Sequence, residues 1–131
     1  MGKTAKRKLE IATRIHDLFV NKWGLDERDL LIDPLTFTIA TGTEDDRRLG
    51  LETLEGIRLI HDSLPNCGIL LGLSNISFGL RPAARAVLNS VFLDKARRRG
   101  LSAAIVHPSR ILPRNRIDDE QWQAADWLIF D

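Results

Sequence analysis

Apolar residues in this chain fall into two spacings, and the switches between them mark its elements. From residue 4 to about 22, Leu9, Ile11, Ala12, Ile15, Leu18 and Phe19 recur at three- and four-residue steps towards Trp23. That spacing predicts an amphipathic helix, with Gly24 as its stop. Asp26-Glu27-Arg28-Asp29 reads as a polar turn. Leu30-Leu31-Ile32 is a short apolar run closed by Asp33-Pro34, a buried strand that ends where proline can no longer donate to a ladder. Residues 35–43 read as a structured loop over the mouth of that strand, and Thr43 with Asp46 as a capping-box-like helix start. A second helix is predicted over 45–62, with Leu49, Leu51, Leu54, Ile57 and Ile60 inward.

The most telling stretch is Ile69-Leu70-Leu71-Gly72-Leu73-Ser74-Asn75. Continuous aliphatics describe a parallel strand buried on both faces, and the abrupt change to Ser74 and Asn75 marks its exit from the core. Ligands of parallel α/β folds gather at such exits. An ordinary Asx turn at a strand end accounts for the same two residues. Gly72, without a Cβ, lets a flat ligand lie close to the backbone. A third helix is predicted over about 82–99, ending in Lys95, Arg97, Arg98, Arg99 and Gly100, cations where the helix dipole favours them. Leu101–Val106 reads as a third buried strand ending at His107. Asp118 or Asp119 then caps a last helix through Ile129, with Trp122, Ala125 and Leu128 inward and Trp127 partly exposed.

The order is a leading helix followed by three strand–helix units, the pattern of parallel βα units in a single domain over 1–131. Right-handed crossovers bring the polar strand ends, Asp33, Ser74 with Asn75, and His107, to one edge of a sheet.

Composition narrows the partners. Lys plus Arg number 19 and Asp plus Glu 18 in 131 residues, so no strong field points to nucleic acid or a membrane. No apolar run approaches the roughly 20 residues of a membrane span, and the basic start has no apolar segment behind it. Lys3, Lys6, Arg7 and Lys8 read as the solvated face of the first helix. The single cysteine, Cys67, excludes an internal disulfide and fits the cytoplasm. His16, His61, His107 and Cys67 have no metal-ligand spacing, so no metal is expected.

Asp33-Pro34-Leu35 with Ala40-Thr41-Gly42, Gly72-Leu73-Ser74-Asn75-Ile76-Ser77-Phe78, Asn89-Ser90-Val91-Phe92-Leu93 and Ala103-Ala104-Ile105-Val106 together resemble the pterin-binding domain of cobalamin-dependent methionine synthases. The same pattern is similar to methyltetrahydrofolate:corrinoid methyltransferases and, more distantly, to dihydropteroate synthases. The resemblance implies a TIM-type (β/α)8 barrel, of which three strand–helix units and a leading helix make about the second half. It implies methyltetrahydrofolate as substrate and cobalamin on a partner domain as methyl acceptor. By that likeness Asp33 holds the pyrimidine edge of the pterin and Asn75 meets the methyl-bearing nitrogen as the catalytic residue. Gly72 and Ser74 line the pterin site, and Arg81, with Arg85 the weaker match, belongs to the same loop. The chain is shorter than the roughly 250 residues of such a barrel, so independent catalysis is not expected of it. The open edges predict self-association or a partner carrying the missing barrel half. The other reading is a non-catalytic half-barrel serving assembly or ligand binding.

Overall fold

A computed structural model describes all 131 residues. The elements run α1 (Ala5–His16), β1 (Leu31–Ile32), α2 (Glu44–Arg47), α3 (Leu49–Ser63), β2 (Gly68–Gly72), α4 (Pro82–Arg98), β3 (Ala103–Ile105) and α5 (Asp119–Phe130). The three strands make one parallel sheet in the order β1-β2-β3, with Leu31 opposite Gly68, Ile32 opposite Ile69, and Leu70, Leu71 and Gly72 opposite Ala103, Ala104 and Ile105. Each connection between neighbours carries helix, as a parallel pairing requires. The α/β class and the three βα units therefore stand as the periodicity predicts.

Several local expectations change. The first helix is α-helical only to His16 and widens into a π-helical turn over Asp17–Lys22. The predicted second helix is interrupted at Arg48. Thr43 and Asp46 pair through their side chains, Oγ1 to Oδ2 at 2.9 Å, and Asp46 N donates to Thr43 O at 3.2 Å, but the Thr43 hydroxyl makes no bond to the helix backbone. Leu128 is exposed, while Ala125 and Ile129 face inward on α5.

The strands are buried on one face only. Ile32, Ile69 and Leu71 pack into the core with Leu54, Ile57, Ile60, Val91 and Phe92 from α3 and α4. The alternate positions lie open: Leu31 is 51% and Ile105 66% exposed. The expectations of two-sided burial for β2 and of buried strands at β1 and β3 fail because the helices of this chain cover a single face, leaving Leu70 half-buried and Leu31 and Ile105 exposed on the other.

Candidate functional site

Asp33 leaves β1 on the open face, since it alternates with buried Ile32 and Pro34. Its carboxylate Oδ1 accepts a hydrogen bond from Leu35 N at 2.9 Å. Leu35 has φ +65°, a left-handed conformation that costs a residue with a Cβ about 1–2 kcal/mol. The conformation persists because its surroundings fix it. Lys8 Nζ donates to Pro34 O, and to Leu35 O at 3.0 Å; Thr53 Oγ1 donates to the same Leu35 O at 3.1 Å.

Lys8 is thus the reverse of the solvated residue its neighbours suggest. It is 3% exposed, its ammonium 5.2 Å from the centre of the Phe37 ring. Gly56 makes room for it: a Cβ on that residue would stand 2.7 Å from Lys8 Cδ. A helix-interior glycine forgoes about 1 kcal/mol of propensity relative to alanine. Here that loss admits the aliphatic stem of Lys8 between α1 and α3. Ala5 N donates to Glu52 Oε2 at 2.6 Å and joins the same two helices.

Burial lowers the pKa of Lys8 from its ordinary 10.5 to about 8, a shift partly opposed by the charges of Asp33 and Glu52. Between about pH 8 and 10.5 the unfolded chain therefore holds a proton at Lys8 that the fold has released. The Lys8 contribution to stability rises with pH across that window and is level below it. A neutral amine still has hydrogens to donate, so the carbonyl bonds survive. Urea titrations from pH 7.5 to 10 are expected to show this rise in the wild-type chain relative to Lys8→Met. Parallel pH profiles for the two proteins would overturn the assignment.

At the exit of β2, the 3-10 turn Leu73–Ser77 presents Ser74 and Asn75 to solvent and buries Ile76 and Ser77. A Cβ on Gly72 would meet only Asn75 Nδ2, at 3.5 Å, so the space before Gly72 is bounded by that carboxamide and otherwise open. Gly72 lies opposite Ile105 on the open face, which places Asn75 over the same face as Asp33. The turn is fastened from α4. Ser77 Oγ donates to buried Asn89 Oδ1 at 2.7 Å, Arg85 Nε donates to Ser77 Oγ at 3.0 Å, and an Arg85 terminal nitrogen donates to Ser74 O at 3.0 Å. The loop after β1 is tied to the same turn by Thr38 Oγ1 donating to Phe78 O at 2.7 Å and Ile39 N to Ile76 O at 3.2 Å.

Arg81 caps α4 from an exposed position, whereas Arg85 reaches inward. Arg85, Ser74, Asn89, His107 and Arg110 line a cleft of about 360 Å³ beside the Ser74–Ser77 turn. His107 Nδ1 lies 2.8 Å from Ser109 Oγ. Asp33, Gly72, Ser74 and Asn75 thus all stand at the C-terminal ends of β1 and β2. Arg81 lies on its margin, and Arg85, Ser77 and Asn89 supply the support. The sequence signal for that support is the polar pair Asn89-Ser90 inside the apolar run of α4. Ser90 uses its hydroxyl both on Ala86 O, at 2.6 Å, and on Leu112 N, at 2.8 Å, which fixes the loop after β3.

The model of the pterin binding enzyme family matches residues 1–107. Over 130 residues, 99% of the chain, the sequence is 55% identical to a methionine synthase of Mycobacterium tuberculosis and 52% identical to one of Mycobacterium leprae. The chain covers 11% of the length of each of these relatives.

Proposed function

This chain belongs to the pterin binding enzyme family, and we propose from that premise that it forms one half of a methyltetrahydrofolate site whose methyl group passes to cobalamin in methionine synthesis. The observation that supports the reading is that Asp33, Gly72 and Asn75 all stand at strand exits at the C-terminal edge of a parallel sheet whose one face is open. A pterin is flat and carries amino and ring N–H donors on one edge. The carboxylate of Asp33 accepts them in a charge-assisted pair, Gly72 leaves room for the ring, and Asn75 meets the nitrogen that bears the methyl group. The amine departs only as it gains a proton. A carboxamide, with both acceptor and donor, follows the nitrogen through that change. The cobalamin acceptor lies on another domain or chain, and the site acts in the cytoplasm.

The exposed aliphatics Leu31 and Ile105 support the half-barrel. Parallel sheets are ordinarily covered on both faces, and the remaining strands of a (β/α)8 barrel would close over this one, either as a complementary segment or through a second copy. Residues 1–131 then act as a single folding unit of that barrel. Calorimetric titration with methyltetrahydrofolate tests the reading. Weak saturable binding to the chain alone is expected, tightening when the complementary strands are added. A correctly folded, complemented barrel that takes up no folate would reject it and leave the assembly reading in its place.

A further inference from the structure

At the opposite end of the sheet, three side chains of metal-ligating type converge from separate segments. His16 closes α1, Glu27 opens the 3-10 turn Glu27–Asp29, and Cys67 immediately precedes β2. One imidazole nitrogen, one carboxylate oxygen and the Cys67 Sγ all lie within 4.8 Å of one another. Cys67 is buried, and the His16 side chain is 16% exposed. The spacing of these residues along the chain shows no motif, because the site is assembled from three separate segments: the end of α1, which packs on α3, the turn before β1 and the residue before β2.

We infer that His16, Glu27 and Cys67 form a site for one divalent transition-metal cation of the Zn²⁺ class, with solvent as fourth ligand. An imidazole, a carboxylate and a thiolate are the donor types such an ion takes in tetrahedral geometry. Metal–ligand bonds of about 2.0–2.3 Å place neighbouring donors roughly 3.3–3.8 Å apart, so the group closes by shifts of about an ångström. His16 Nε2 and Glu27 Oε2, now 2.9 Å apart in a hydrogen bond, separate slightly to admit the ion. The supporting groups are in place. Asn66 Nδ2 donates to the other Glu27 oxygen at 2.7 Å, and Asp17 Oδ1 lies 3.7 Å from His16 Nδ1, a carboxylate near the second imidazole nitrogen but just beyond hydrogen-bond distance. The π-helical turn begins at Asp17, directly after the ligand histidine; such turns are frequent at functional sites. Binding transfers the thiol proton of Cys67 to solvent. The ion staples the end of α1, the 27–29 turn and the start of β2.

Co²⁺ titration of the reduced, metal-stripped chain tests the site. One equivalent is expected to produce thiolate-to-cobalt charge-transfer absorption together with visible bands of four-coordinate intensity, both erased by Zn²⁺. Saturating Zn²⁺ is expected to raise Tm by about 5 °C. Cys67→Ala, which keeps a small apolar group in the core, should abolish the signal with an unchanged far-ultraviolet circular dichroism spectrum. His16→Ala and Glu27→Gln should each weaken Zn²⁺ affinity by about 100-fold or more. A folded wild-type chain without the thiolate band would overturn the site. So would Zn²⁺ affinity equal to wild type in both the His16 and Glu27 variants, which would leave Cys67 as a lone thiol beside a metal-free His16–Glu27 pair.

Discussion

Asn75→Ala is expected to slow methyl transfer from methyltetrahydrofolate to cob(I)alamin on the order of 10²-fold, with a smaller loss in folate binding. The size is the lower range for assistance with one proton transfer. Its partition follows from the proposed role. A carboxamide that tracks the nitrogen as it becomes protonated interacts more strongly in the transition state than with bound substrate, so its removal falls mainly on the rate. The structure makes the substitution a clean one. Asn75 is exposed, and its amide nitrogen lies beside the open space before Gly72. The neighbouring Ser77 and Arg85 bonds that fasten the turn do not pass through its side chain. Single-turnover kinetics in the completed barrel, with cobalamin supplied, is the measurement. Wild-type transfer rates in a folded Asn75→Ala protein would remove the central residue of the reading and leave a likeness of fold without function.

Asp33→Asn is expected to weaken pterin binding by roughly 1.5–3 kcal/mol, the scale of a hydrogen bond to a charged group, or about 10- to 150-fold in Kd. Asp33 has a structural duty as well, because its Oδ1 accepts from Leu35 N. Asparagine keeps an acceptor oxygen for that turn and loses only the charge and the second acceptor. Stability and folate affinity therefore separate in this variant. Unchanged affinity beside unchanged stability would reduce Asp33 to a loop cap. Asp33→Ala does not make that distinction, because it also frees Leu35 from one of the bonds that hold its left-handed backbone.

The proposed contacts of Asp33 depend on groups that never face a ligand. Lys8, Thr53 and Gly56 together hold the Pro34–Leu35 carbonyls, and through them the angle at which the chain leaves β1. The same division holds at β2, where Asn89 and Arg85 hold the turn and leave Asn75 free. Both exposed residues are thus presented by short segments whose own bonds are satisfied from the helices behind them. That is the arrangement a site needs if its geometry is to exist before the ligand arrives.

The order of elements, the parallel βα pattern and the strand exits at Asp33, Ser74 and Asn75 were all determined by the sequence, because each is a local matter. A change from continuous aliphatics to polar residues costs or gains burial wherever it occurs, and a proline ends a ladder in any context. Tertiary structure decided the rest. Lys8 sits in a basic run that reads as solvated, and it is buried because Gly56, on another helix, leaves room for its stem and because two carbonyls of the β1 exit need donors. Arg85 rather than Arg81 reaches the Ser74–Ser77 turn because Arg81 is held out at the cap of α4 while Arg85 lies one helical turn further in. The open face of the sheet, with Leu31 and Ile105 on it, follows from how many helices dock and on which side, which no strand encodes alone. His16, Glu27 and Cys67 meet for the same reason. Hydrophobic periodicity fixes which face of an element turns inward, but the pairing of faces across the core is set by packing between distant segments, and only the assembled fold contains it.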